Sequence, residues 1–184
     1  MKKIISLLLV AIMAIALVAC TNNNEDTTKT DADATQTLSA IWADLAEDEK
    51  YFVSGGDMVN NTVENDAGKV EDANFMTYNM LLPEELHSQV DDVASLIHGM
   101  NANSLTLGMY HLTEGTDEAE FAETMRSAIQ GNRWMCGFPE QLFIASVDGF
   151  VLVGYGLTDN IESIKTHLAS VYPNSTIICE EAIA

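Results

Sequence analysis

Apolar positions follow three rhythms along this chain, and each predicts a different kind of element. The first is an unbroken run. After Met1-Lys2-Lys3, apolar residues extend from Ile4 to Ala19 with only Ser6 between them, and polarity changes at once after Cys20. The run is short for a membrane span, which needs roughly 20 residues. A basic start, an apolar middle and small residues before a cut are the parts of a secretory signal. The second rhythm is helical. Leu38, Ile41, Trp42 and Leu45 predict a helix from about Thr37. Phe121, Ala122, Met125, Ala128 and Ile129 predict another, started by Thr116 or Asp117 and stopped by Gly131. Ile161, Ile164, Leu168 and Val171 predict a third, opened by Asp159 with Glu162 and ended by Tyr172-Pro173.

The third rhythm is that of strands. Leu105, Leu107 and Met109 alternate with Thr106, Gly108 and Tyr110. Leu142 to Val147 and Phe150 to Leu157 flank Asp148-Gly149, the strongest short-range hairpin signal. Thr176 to Cys179 adds an edge strand. Asn74 to Leu82 reads as a strand and Pro83-Glu84-Glu85 as a short helical turn. Tyr51 to Asp72 is broken by Ser54-Gly55-Gly56-Asp57, Asn60-Asn61 and Asp66-Ala67-Gly68, and reads as an irregular connection. Val90 to Met100 fits a helix through Val90, Val93, Ala94 and Ile97. It also fits a strand turning at Asn101-Ala102-Asn103, and the hairpin reading is preferred.

From Val90 the order is strand, strand, helix, strand, strand, helix. The expected fold is α+β: an antiparallel sheet of about four or five strands with helices on one face, a two-layer sandwich. With Val90–Met100 helical, the order from Leu105 becomes the ferredoxin-like β-α-β-β-α-β pattern of the same class. The chain is expected to divide into a signal at residues 1–19, Cys20 and a tether at 20–36, and one domain at 37–184. Thr21 to Thr35 holds no large apolar residue and is expected to be disordered. Its 15 residues span ~20 Å as a coil and at most ~50 Å extended.

Charge narrows the partners. The chain has 8 Lys and Arg against 28 Asp and Glu, net −20. Loss of Lys2 and Lys3 with the signal leaves 6 against 28, net −22. Nucleic-acid binding needs basic side chains to replace counterions and is excluded as a class. Anionic lipid gains no electrostatic contact either. A macromolecular partner is expected to offer a basic or apolar patch, although acidity also serves solubility alone.

Leu17-Val18-Ala19-Cys20 resembles the lipobox of bacterial lipoproteins. That resemblance implies a diacylglyceryl group on the Cys20 thiol, cleavage just before it, and a chain held on the extracytoplasmic face of the cell membrane. Two acyl chains suffice for stable anchoring where one does not. Further along, five features recur in order. They are Leu38-Ser-Ala-Ile-Trp42, Met100-Asn-Ala-Asn-Ser104, a helix with Arg126, Phe138-Pro139-Glu140-Gln141, and a hairpin with Gly149 at its turn. Over roughly Leu38 to Tyr172 the chain resembles lipoproteins of clostridia-like Gram-positive bacteria that share a domain of unknown function. Some of these are labelled bacteriocin transport accessory proteins. The chain departs from them in a shorter stretch between Arg126 and the hairpin and in Cys136-Gly137. The resemblance supplies no catalytic residue.

Catalytic and cofactor signatures are missing. There is no Gly-x-Ser-x-Gly and no Ser-x-x-Lys, and neither Cys136 nor Cys179 has a histidine close in sequence. His87, His98, His111 and His167 lack the paired spacing of a zinc site. His98 and His111 form the best candidate pair if they face one another across the hairpin. Acidic clusters such as Glu64-Asn65-Asp66 lack calcium-loop spacing. Val153-Gly154-Tyr155-Gly156 copies part of a potassium filter without the membrane helices a filter needs, and its glycines read as a bulge or a close approach. Gly55-Gly56 has no following lysine and is no phosphate loop. No metal and no cofactor are expected. Cys136 and Cys179 either pair in a disulfide, which export permits, or stay buried thiols.

The remaining candidates are Arg133, Trp134, Met135, Phe138 and Pro139, between a helix and a strand. Aromatic and arginine side chains on a loop anchor interfaces, and they also close the end of a core, the reading preferred for Trp134 and Phe138. The expected function is that of a membrane-anchored, extracytoplasmic, non-catalytic binding or accessory module with a protein partner. The alternatives are an envelope enzyme using the Cys136 thiol and, from the family label alone, an accessory to a peptide or bacteriocin exporter.

Overall fold

The computed structural model describes residues 32–135 and 137–184. The first helix, α1 (Ala34–Asp44), starts three residues before the apolar period becomes visible. Asp33 caps it by accepting the Gln36 N–H at 2.7 Å, and Ala34 is fully buried. Three short strands follow in the segment read as irregular: β1 (Val53–Gly55), β2 (Val63–Glu64) and β3 (Gly68–Lys69). The strand expected at Asn74–Leu82 is instead the helix α2 (Ala73–Tyr78), started by Asp72, whose side chain accepts the Phe75 N–H. Six residues are too few to display a helical period, so only the cap signals it. A 3₁₀ helix at Glu84–Gln89 occupies the expected turn after Pro83.

The rest follows the sequence pattern closely. β4 (Val90–His98) and β5 (Leu105–Leu112) form the expected hairpin, around a 3₁₀ turn at Ala102–Ser104. α3 (Glu118–Gln130) is capped by Asp117, which accepts the Ala119 and Glu120 N–H groups, and Gly131 ends it. β6 (Gln141–Val147) and β7 (Phe150–Gly156) flank Asp148 and Gly149. These two have φ of 50° and 91°. Both signs match the primed two-residue turn that suits strand twist, and glycine is the residue that takes the second position without steric cost. α4 (Thr158–Val171) and the edge strand β8 (Thr176–Ala182) complete the domain.

The fold class is mixed α+β with an open antiparallel sheet, but the sheet is larger than expected. It has eight strands, in the order β2-β1-β4-β5-β7-β6-β8, with β3 sharing the β1 side of β4. Short strands from the irregular segment make up the difference. The helices do not share one face either. α1 and α4 pack on one face with Leu96, Leu107, Met109, Phe143 and Leu152. α2, the 3₁₀ helix at Glu84–Gln89 and α3 pack on the other with Val93, Tyr110, Ile144, Val151 and Val153. The result has three layers. The ferredoxin-like alternative is also excluded, because β8 lies on β6 and not beside β5.

Topology explains the two-sided covering. β5 and β7 are antiparallel, and β7 and β6 are antiparallel, so β5-α3-β6 is a parallel crossover over β7. By the same count β7-α4-β8 is a parallel crossover over β6. Both step in the same direction across the sheet, from strands that point in opposite directions. Two crossovers of one hand must then place their helices on opposite faces. The observed layers therefore give both connections the same hand, as the strong preference for a single hand demands.

One histidine bolts the α1 end to α4. His167 Nδ1 lies 2.8 Å from Asp44 Oδ2 and Nε2 lies 3.2 Å from Glu49 Oε2. Both ring nitrogens face carboxylates, so both contacts are donor–acceptor bonds only in the imidazolium form. The Asp44 bond and then Glu49 hold the His167 pKa above its ordinary 6.5 against partial burial. Asp44 is held below 3.8 chiefly by His167, and Glu49 below 4.5 chiefly by the Ala46 N–H. The raised histidine contributes stability fully below 6.5 and loses it as pH climbs through its folded value. The lowered carboxylates contribute above 3.8 and 4.5 and lose it on acidification. The clamp is thus strongest between about pH 4.5 and 6.5. The stability difference between the parent chain and His167→Gln, followed by urea unfolding, is expected to be largest there and to shrink above pH 7. A difference that stays constant up to pH 9 would refute the clamp.

Candidate functional site

Loops from three parts of the chain meet at one end of the sheet, where β4 and β7 finish and β5 and β6 begin. The β4–β5 turn is held from within. His98 Nδ1 accepts the N–H groups of Met100 and Asn101 at 3.1 and 3.3 Å, and the Asn101 side chain accepts the Asn103 N–H. Asn103 then reaches across to the segment before β6. Its amide donates to the carbonyls of Met135 and Gly137, each at 2.9 Å. The start of α4 joins the same end, with the Leu157 N–H and the Asn160 amide both donating to the Ser104 carbonyl.

The aromatic residues of this segment divide by role. Trp134 is half-buried, its ring 5.3 Å from that of Tyr155, and closes the core end as expected. Tyr155 in turn donates from its hydroxyl to the Asn79 carbonyl, and burial raises its pKa to about 12. Pro139 is buried as well. Phe138 does not follow the preferred reading. It is 72% exposed, with Met100 at 83% in the β4–β5 turn and Met135 at 79% on its own segment. Arg133 is exposed on the same loop. The sequence marks Met100 only as the first residue of the Met100–Ser104 turn motif. The Asn103 bridge ties its turn to the backbone of Met135.

An acidic groove of about 350 Å³ lies at the same end of the sheet. Glu140, Gln141, Thr158, Glu180 and Glu181 line it. Glu140 accepts the Thr158 N–H at 2.9 Å, and that bond holds its carboxyl below the usual range. Glu181 is held low by Gln130 and Arg126. Glu180 accepts from Gln141 at 2.8 Å and pairs with Lys165. These ion pairs also place charge along β8, an outer strand, where charge discourages edge-to-edge aggregation.

A second cleft of about 400 Å³ lies on the α2 face at the other end of β4. It holds Lys69, Glu71, His87, Asp91 and Asp92 over an apolar floor of Val70, Met76 and Val93. His87 pairs with the Thr77 hydroxyl and His111 with Asp91. His98 and His111 do not face one another. The register puts His111 opposite Asp92, while His98 follows Ile97, the partner of Thr106. They sit at opposite ends of the hairpin. Among the described residues no group of three His, Cys, Asp or Glu is placed to hold a metal ion.

Of the cysteines, Cys179 is a half-buried free thiol on β8, and burial pushes its pKa up, opposite to the activation a nucleophile needs. Cys136, its partner in the disulfide alternative, and Cys20, expected to carry the lipid, lie outside the described residues, as do the expected signal and most of the expected tether. No helix among the described residues is long and apolar enough to cross a membrane. No protein-family model, no curated protein and no solved structure matches this chain.

Proposed function

We propose that this chain is a membrane-anchored, extracytoplasmic lipoprotein that works as a non-catalytic binding module. Met100, Met135 and Phe138, exposed on loops that meet at one end of the sheet, are the observation that carries the reading. Three large apolar side chains are each more than 70% exposed, on loops fixed by Asn103. Exposed apolar side chains gathered at one place mark interaction sites, whereas scattered ones need no explanation. Pre-fixed loops lower the ordering cost of binding. The anchor rests on Leu17 to Cys20 at the end of a signal-like run.

Two measurements test the two halves. Cys20→Ser is expected to move the protein from the membrane fraction to the medium, and retention in the membrane would refute the anchor. A photo-reactive phenylalanine at Met135 in intact cells is expected to give a discrete protein adduct. The same group at exposed Ala169 on α4 is the control. Equal labelling at both positions would end the binding reading.

A further inference from the structure

The apolar cluster and the point where the N-terminal segment joins the domain lie at opposite ends of the molecule. The Ala34 N–H donates to Asp92 Oδ2 at 2.7 Å, which fixes the start of α1 at the beginning of β4. α1 then runs along the sheet. Its last turn reaches the far end of β4, where Trp42 packs edge-on against Tyr51 and Tyr51 stacks on His98. Asp92 to His98 covers six residues of strand, ~20 Å. Met100, Met135 and Phe138 lie beyond His98.

We infer that this far end is a docking surface for a cationic, apolar protein segment and not for the lipid bilayer. The inference rests on the binding reading above and specifies its partner. Two observations select the occupant. A chain attached to a membrane through residues before Ala32 enters the domain at the Asp92 end, so the Met100 end is not its point of attachment. The exposed apolar residues also share this end of the sheet with the Glu140–Glu180–Glu181 groove, Glu140 standing two residues after Phe138, on a chain of net charge −20. Anionic lipid is repelled by such a surface, while lysine or arginine side chains flanking large apolar ones match both halves of it. Met100, Met135 and Phe138 supply the apolar contact, with methionines that adapt to irregular shapes. The groove supplies the acceptors.

The test uses the full lipoprotein in phosphatidylcholine vesicles, with the Trp134 signal taken as the difference between the parent chain and Trp134→Phe. The first probe is an eight-residue peptide of alternating lysine and leucine. A saturable change in Trp134 emission is expected, weakened about tenfold or more by Met135→Ser with Phe138→Ser. Glu140→Gln with Glu181→Gln is expected to weaken it several-fold, and added salt to do the same. Thermal melting of each variant separates lost binding from lost folding. No binding of the peptide, equal binding of a glutamate–leucine peptide, or indifference to the serine pair overturns the proposal. So does quenching of Trp134 by brominated lipid, with or without phosphatidylglycerol, because it places this end in the bilayer. In each of those cases a Met135 photo-adduct with a protein still leaves the binding reading standing.

Discussion

Gly56→Ala is expected to be the most damaging single-methyl addition in the domain. A Cβ at Gly56 overlaps the carbonyl oxygen of Asn61, and the residue has a φ of 82° that side chains rarely adopt. The neighbouring Gly55 is as crowded, by the backbone of Asp66, Ala67 and Gly68. These contacts are backbone on backbone, so no rotamer change relieves them. The corner is tied down on every side. The Ser95 hydroxyl donates to the Gly56 carbonyl at 2.8 Å. Buried Asp57 accepts three N–H groups from Val59, Asn60 and Asn61, which with the Glu71 N–H lower its pKa to about 2. Overpacking costs about 1–3 kcal/mol and a left-handed non-glycine residue about 1–2 more. A loss of roughly 2–5 kcal/mol follows, seen as a drop in melting temperature of roughly 5–15 °C. Gly149→Ala is the control, since its φ is 91° but a Cβ there meets open space. It keeps the conformational cost without the overlap. If the two variants melt together, the close approach of the Asn61 carbonyl to Gly56 does not matter for stability.

The second large effect lies at the sheet centre. Phe143 is fully buried on the α1–α4 face, and its strand partner across β6 and β7 is Gly154. Phe143→Ala is expected to cost about 3–5 kcal/mol, through lost transfer energy and the cavity left behind. Gly154→Ala alone is expected to cost about 1–3 kcal/mol, because its Cβ overlaps the Phe143 ring and a Leu107 methyl. The two changes then compensate. In the Phe143→Ala background the added methyl enters the vacated space, so Gly154→Ala becomes neutral or stabilising. A coupling of about 1 kcal/mol or more is expected from the double-mutant cycle in denaturant unfolding. Additivity within about 0.5 kcal/mol would refute the ring-on-glycine contact.

Gly154 also marks how a correct signal can point to an incomplete picture. A glycine inside the apolar run from Phe150 to Leu157 implies a close approach, and one exists. What approaches is a side chain of the neighbouring strand, which no local pattern names. The candidate site behaves in the same way. Trp134 and Phe138 stand four residues apart in one aromatic segment, yet Trp134 packs on Tyr155 while Phe138 faces solvent. Composition treats them alike. The Asn103 bridges to Met135 and Gly137 hold the segment in place, and that asparagine is over thirty residues upstream.

The sequence by itself determined the elements whose causes are local. Asp117 and Gly131 bound α3, Asp148-Gly149 makes the β6–β7 turn, and Tyr172-Pro173 ends α4, because caps and turns are satisfied by backbone groups within a few residues. The covering of both sheet faces was present in the sequence in a less obvious form. Phe150 to Tyr155 is buried at every position, and a continuous apolar run, in place of an alternating one, belongs to a strand covered on both sides. The tertiary structure alone decided strand order, the recruitment of β1, β2 and β3 from an irregular segment, and the meeting of Met100, Met135, Phe138 and Glu181 at one end. These depend on pairings between residues tens of positions apart. Such pairings are selected by the joint burial of two faces and by the common hand of the two crossovers, and no single segment encodes either condition.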